Sequence, residues 1–253
     1  MIQKITITLA ALIRGVIFGP ARLIPQNPRR IVVAQMGRLG DMVCTTPIFR
    51  ALKDRYPECE VLVVGMPGNA GVLADHPDVN QYYPYSGNAW QLVRILRTMN
   101  ADAAILCGPH GLVLAVMLAA GIPAVITPEV VGGHSPYETR IYKFLRRFAV
   151  TKPHDMLKYA PREYLNLLEP FGIQTDDTRK ELAYSSSARQ YVQTKAIEAG
   201  ITLGTDICIG ITPTAGNKIK EWPAERFGKL ASMIAKEYGT KIVVLGSQND
   251  HAR

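Results

Sequence analysis

From residue 31 onward, short apolar runs alternate with segments whose apolar residues recur at helical spacing. Ile31–Gln35, Val61–Val64, Ala103–Cys107 and Pro123–Ile126 are brief, mostly apolar runs, the pattern of strands buried on both faces. Between them, Asp41–Tyr56 carries Met42, Thr45, Phe49 and Leu52 at helical spacing before Pro57 stops it. Trp90–Met99 and Leu112–Ala120 also read as helices. The succession predicts βαβ units and a parallel sheet. Thr127–Pro153 reads as loop-rich and basic, Asp155–Leu168 as helical, and Thr175–Ser187 as a polar, turn-prone hinge. A second unit then begins with strand Ile207–Ile211, helix Ala224–Tyr238 and strand Lys241–Leu245. The expected fold class is α/β, with two Rossmann-like, doubly wound parallel-sheet lobes. A doubly wound lobe has about five or six strands, so the second, with two clear ones, is expected to be incomplete. The expected division is an N-terminal segment 1–30, a first lobe 31–175, a linker 176–204 and a partial second lobe 205–253.

The first thirty residues have their own pattern. Ile2, Ile5, Leu9, Leu12, Ile13 and Val16 follow helical spacing, with Lys4, Thr8, Ala11 and Gly15 on the other side, and Ile7 and Phe18 break the pattern. Lys4 and Arg14 interrupt the apolar run short of the ~20 residues that a spanning helix needs, and Gly19-Pro20-Ala21 is a poor signal-cleavage site. Three readings stand. One is an interfacial helix in the plane of a membrane, with Arg14, Arg22, Arg29 and Arg30 meeting anionic headgroups. The others are a helix packed on the protein itself and a disordered extension.

Composition narrows the partners. The chain has 253 residues, is 47% hydrophobic and carries a formal charge of +8, which suits anionic ligands. It shows no zinc-finger spacing, RNP-like strand or long basic run, so nucleic acid is not an expected partner. Cys44, Cys59, Cys107 and Cys208 are dispersed and read as reduced thiols, with Cys107 and Cys208 inside buried strands. The five histidines form no metal-ligand pattern.

Two loops carry candidate chemistry. Gly37-Arg38-Leu39-Gly40-Asp41 follows the first strand, and Thr212-Pro213-Thr214-Ala215-Gly216 follows Ile207–Ile211. Loops at the carboxyl edge of parallel strands are where open α/β sheets bind ligands. Asp41 admits two readings, as the N-cap of the following helix or as a carboxylate that takes a proton from a nucleophile. The second loop offers hydroxyls and unhindered backbone N–H groups, with Lys218 and Lys220 close behind, a set suited to phosphates. There is no G-x-G-x-x-G and no Walker A loop. Trp222 reads as a packing anchor or a base-stacking platform, and Pro223 as the first residue of a helix. Arg38 is either a phosphate contact or a solvated charge. His110 either faces the site or bonds its own loop, and the Arg140–Arg147 cluster either meets an anionic ligand or is a solvated helix face.

The order of these motifs resembles glycosyltransferase family 9, the bacterial heptosyltransferases. Gly37–Asp41 followed by Thr45-Thr46-Pro47-Ile48-Phe49-Arg50-Ala51-Leu52-Lys53 carries the resemblance. So do Tyr56-Pro57, His76-Pro77-Asp78-Val79, and Pro213–Gly216 leading into Lys220-Glu221-Trp222-Pro223-Ala224-Glu225-Arg226-Phe227. The likeness runs from about Ile31 to the last residue. It implies a GT-B-like fold whose first lobe takes a lipopolysaccharide-core-like, lipid-linked saccharide acceptor. The second lobe would take a nucleotide-sugar donor, typically ADP-heptose. On this likeness Asp41 is the general base of an inverting transfer, and Thr212, Thr214, Ala215, Gly216 and Lys220 bind the donor diphosphate. Lys218 has no counterpart and reads as a surface charge. Gly37, Arg38, Gly40 and His110 are the candidate acceptor contacts. No metal or further cofactor is implied beyond the ADP-sugar itself. Family members continue past the position of Arg253 with a D-[ST]-G-x-x-H-like loop and the ribose and adenine contacts. The apolar N-terminal segment is not a general family feature.

The leading expectation is therefore an inverting heptosyltransferase, cytoplasmic and peripheral on the inner face of the cytoplasmic membrane. The alternatives are a catalytically inactive, truncated membrane-surface binding module and a Rossmann-type protein for some other nucleotide.

Overall fold

The computed structural model describes residues 2–215, 218–246 and 250. The chain divides into two units, Met1–Tyr184 and Ser185–Arg253. In the first, six parallel strands form one sheet: β1 (Arg30–Gln35), β2 (Glu60–Gly65), β3 (Gln81–Pro84), β4 (Ala103–Leu106), β5 (Ala124–Gly132) and β6 (Val150–Asp155). Their order is β3-β2-β1-β4-β5-β6. The direction of winding therefore reverses between β1 and β4, which register through Ile31–Ala103 and Ala34–Leu106. A crevice opens at such a switch point beyond the carboxyl ends of the two strands.

The helices of this unit are α1 (Ile2–Phe18), α2 (Leu39–Arg55), α3 (Ala70–Leu73), α4 (Ala89–Met99), α5 (Gly111–Ala120), α6 (Arg140–Leu145) and α7 (Ala160–Leu165). Strand residues alternate between two cores, as the pleat requires. Val32, Ala34, Leu62, Val64, Ala104 and Leu106 meet α1, α4, α5 and α6 on one face. Ile31, Val33, Val61, Val63 and Ile105 meet α2, α3 and α7 on the other. Burial on both faces explains why the central strands are apolar throughout. Helix ends follow local chemistry. Asn88 caps α4 by accepting the Gln91 N–H at 3.1 Å, and Gly121, at φ +89°, closes α5 in a conformation that glycine adopts at little cost.

Several expectations change. Residues 127–153, read as loop, contain the end of β5, all of α6 and the start of β6. The segment from Asp155 to Leu168 is not one helix, because β6 runs to Asp155 and α7 begins only at Ala160. β3 and β6 are the outer strands, and their half-polar sequences do not carry the apolar signature of the inner ones. Residues 1–30 are continuous with the first unit, since α1 buries Ile7 and Ala11 in the core beneath it. The polar stretch after 175 is tied to α2. Arg50 pairs with Asp177 and Glu181, and the Glu181 N–H donates to Thr46 Oγ1 at 2.9 Å.

The second unit contains α8 (Ser186–Glu198), β7 (Cys208–Ile211), α9 (Ala224–Tyr238) and β8 (Lys241–Val244). Much of the expected linker is thus helix α8. β7 and β8 pair in parallel, Ile209 beside Ile242. Cys208, expected to be buried, is exposed.

Candidate active site

The β1 loop sits at the switch point and is held from three directions. Gln35, the last residue of β1, is buried, and its Oε1 accepts the Gly37 N–H at 2.9 Å. The Gln35 Nε2 donates to Thr45 Oγ1 at 3.0 Å. Asn69, also buried, donates from Nδ2 to the Gly37 carbonyl at 3.0 Å. Both backbone polar groups of Gly37 are therefore satisfied by buried amides. Sequence reading passed over Gln35 and Asn69. The available signals were an amide ending an otherwise apolar strand and an asparagine in the Pro67-Gly68-Asn69 turn.

Asp41 is neither a simple cap nor outside capping. The helix starts two residues earlier than expected, with Arg38 at the N-cap, and Asp41 is its third residue. Its Oδ2 accepts the Arg38 N–H at 2.8 Å, the reciprocal half of a capping box. No described residue donates a hydrogen bond to the other carboxylate oxygen, Oδ1. The capping role is therefore visible in one oxygen, Oδ2, which holds the preceding loop. Gly37 is required for this packing, because a Cβ there would overlap the Asp41 side chain. Gly40 has open space around it, so protein crowding does not explain a glycine there. Arg38 is exposed.

Across the switch point, His110 caps α5, its Nδ1 accepting the Val113 N–H at 3.2 Å. Its ring stacks on Tyr137 with centroids 6.1 Å apart. Burial, with the charge of Lys4 in the same direction, holds its pKa below the ordinary imidazole value. His110 thus bonds its own loop and also lines a cavity of about 520 Å³ with Lys4, Thr8, Tyr85, Tyr137 and Thr139. The N-terminal helix therefore contributes to the carboxyl-edge surface, which its sequence did not reveal. Of the expected acceptor contacts, this cavity takes in His110, whereas Gly37 and Arg38 belong to the β1 loop and Gly40 to the first turn of α2.

In the second unit, a cavity of about 460 Å³ lies at the carboxyl ends of β7 and β8, lined by Thr214, Lys218, Glu221, Trp222, Leu245 and Asp250 among others. Of the expected diphosphate contacts, Thr214 is among its lining residues. Thr212 and Ala215 are outside its described lining, and Gly216 lies outside the described residues. The Ala215 N–H donates to the Glu221 carboxylate at 3.2 Å, so one expected phosphate donor is met by a carboxylate. Lys218 and Lys220 share one 3-10 turn, where residues two apart point in different directions. Lys218, read from the sequence as a surface charge, lines the cavity, and Lys220 is not among its described lining residues. Trp222 packs edge-to-face on Phe227 with centroids 5.1 Å apart and also borders the cavity. Pro223 is the N-cap of α9, one residue before the expected position.

The family model for glycosyltransferase family 9 (heptosyltransferase) matches residues 89–253, more than half of the chain. Lipopolysaccharide heptosyltransferase 3 of Escherichia coli strain K12 is 24% identical over 221 residues, covering 83% of this chain and 61% of that protein. A glycosyl transferase family 9 structure from Veillonella parvula DSM 2008 matches with TM-score 0.73 and 23% identity, over 90% of this chain and 65% of that one. The ADP-heptose lps heptosyltransferase II of Escherichia coli gives TM-score 0.66 at 22% identity, over 88% of this chain and 66% of that one. An Escherichia coli heptosyltransferase solved with ADP gives 0.64 at 15% identity, over 87% and 68%. These structures share the fold. The 253 residues span 61% of the length of the curated relative.

Proposed function

The chain belongs to glycosyltransferase family 9, and on that premise we propose that it supplies the acceptor lobe and part of the donor lobe of an inverting heptosyltransferase. The donor is an ADP-heptose and the acceptor a lipid-linked, lipopolysaccharide-core-like saccharide, as the names of its relatives suggest. One observation carries the reading. The Asp41 carboxylate stands at the switch point with Oδ2 engaged by its own loop and Oδ1 without a donor among the described residues.

In the proposed step an acceptor hydroxyl lies against Asp41 Oδ1. Its oxygen attacks the anomeric carbon of the donor sugar, its proton passes to Asp41, and the bond from that carbon to the diphosphate oxygen breaks on the opposite side. ADP leaves with the bonding electron pair, and Asp41 returns its proton to water. A positioned base contributes about 10²–10⁴ in rate. Gln35 and Asn69 act as positioning residues by fixing the Gly37 backbone. Thr214 and the ammonium group of Lys218, both lining the second unit's cavity, stabilise the charge that grows on the leaving diphosphate, with Lys220 in a lesser role. Family membership supports this reading over a non-catalytic binding module.

The test is transfer from ADP-heptose to heptose-deficient lipopolysaccharide by protein expressed from the complete reading frame that contains these residues. Heptose incorporation that Asp41→Asn abolishes is the expected result. Donor turnover with no acceptor modified, or with full activity in Asp41→Asn, would overturn it.

A further inference from the structure

Helix α1 is mounted with its more apolar face outward. Ile7 and Ala11 enter the core, whereas Ile2, Ile5, Leu9, Ile13, Val16 and Ile17 are between 49% and 78% exposed. Their spacing places all six along one stripe of a helix about 25 Å long. Neighbours on either side fix this rotation. On one, the Trp90 indole N–H donates to Thr6 Oγ1 at 3.2 Å. On the other, Gly15 lies so close to Phe148 that a Cβ would overlap its ring. Exposed apolar groups of α6 belong to the same layer: Ile141 lines a cavity with Lys4 and Thr8, and Phe144 packs edge-to-face on Phe148.

Charge identifies the occupant of this face. The helical layer made of α1, α4, α5, α6 and the turn Arg146–Phe148 contains eight Lys and Arg residues and no Asp or Glu. The opposite layer, α2, α3, α7 and the turn Asn166–Phe171, contains four of each sign. In the basic layer Lys143 and Arg146 pair with Glu138, and Arg146 also with Glu129. Lys4, Arg14, Arg94, Arg97, Arg140 and Arg147 form no ion pair among the described residues. An exposed apolar stripe bordered by a tryptophan and unpaired cations is the arrangement that lies in a headgroup layer. No described helix is long and apolar enough to cross a membrane.

The geometry points to the α1 face as a docking surface for an anionic lipid bilayer. The helix lies in the bilayer plane, Ile5, Leu9, Ile13 and Val16 enter the acyl boundary, and the exposed Arg94, Arg140 and Arg147 meet lipid phosphates. Lys4 and Thr8 also line the cavity beside His110, so the same helix brings that cavity to the lipid surface. This surface stands apart from the transfer chemistry, and its test needs no turnover.

The experiment is co-sedimentation of the 253-residue chain with phosphatidylcholine vesicles, with and without phosphatidylglycerol, at low and high salt. The expected result is binding to the anionic vesicles that weakens with salt. Leu9→Glu/Ile13→Glu should bind about tenfold more weakly or worse, with an unchanged thermal melt because both positions are exposed. Ile5→Asn/Val16→Asn, on the same stripe, repeats the test if the first variant folds poorly, and Arg94→Glu/Arg147→Glu should weaken binding without altering the stripe. Equal binding by wild type and both stripe variants would overturn the proposal. So would an absence of vesicle binding together with a dimer, seen by ultracentrifugation, that Leu9→Glu/Ile13→Glu dissociates, since a second copy would then cover the stripe.

Discussion

The Arg38 backbone N–H donates to Asp41 Oδ2 over 2.8 Å, so the carboxylate proposed as the base also fixes the loop that presents it. The two roles separate by substitution. Asp41→Asn retains an acceptor oxygen for Arg38, and its melt should stay close to wild type while turnover falls by about 10²–10⁴. Asp41→Ala should lose turnover equally and also cost about 1 kcal/mol in chemical denaturation, through loss of the cap. An Asp41→Asn protein that melts lower and keeps its turnover would leave only the capping role.

Gly37 and Gly40 should respond differently to the same change. Gly37→Ala pushes a methyl group into the Asp41 side chain and should lower turnover sharply. Gly40→Ala lies inside α2 with open space around it, and should stabilise the fold by up to about 1 kcal/mol. Loss of activity in Gly40→Ala with a raised melting temperature would show the acceptor backing onto that position.

Asn69→Ala should destabilise the first unit by about 1–3 kcal/mol, because the Gly37 carbonyl loses its buried partner. Urea denaturation gives the size. As a positioning effect, the accompanying loss should fall mainly on kcat, with donor affinity unchanged. A matching loss of ADP affinity would contradict that role.

The two lysines of the 3-10 turn are distinguished by ADP calorimetry on the 253-residue chain and its variants. Lys218 lines the cavity, so Lys218→Ala should weaken ADP binding by about 1.5–3 kcal/mol, the worth of a charge-assisted contact. Lys220→Ala is expected to matter less here, although the sequence resemblance points to Lys220. The reverse order would restore the motif-based assignment.

Burial holds the imidazoles of His76 and His154 below their ordinary value of 6.5. The carboxylates near each, Asp78 and Glu181 for His76 and Glu163 and Asp155 for His154, oppose the shift without reversing it. With folded-state values depressed, the unfolded chain takes up the protons first. The contribution is complete above about pH 6.5 and is lost as pH falls from there through the folded-state values. Thermal unfolding should therefore occur at a lower temperature near pH 5.5 than near pH 7.5, and His76→Leu should reduce that difference. A flat profile would mean that neither ring is kept neutral by the fold.

The local pattern of this chain determines its inner framework. β1, β2, β4 and β5 are legible because a strand buried on both faces must be apolar throughout, and α4 and α9 because one face of each repeats at helical spacing. The strand-to-helix junction before Asp41 is legible too, though not the exact start of α2, since a glycine-containing junction has its own local chemistry. What tertiary structure decides is whatever depends on partners distant in sequence. β3 and β6 are strands because they pair with β2 and β5 at the sheet's edges, where ladder hydrogen bonds stand in for side-chain burial. The clamp on Gly37 joins residues 35 and 69, which no periodicity connects. The choice between Lys218 and Lys220 rests on the direction of a single 3-10 turn. The outward face of α1 is the clearest case. Sequence shows an amphipathic helix, but Trp90 and Phe148 set its rotation, and the smaller residues Ala11 and Gly15 fit closely against the protein while the larger Ile and Leu side chains stay at the surface.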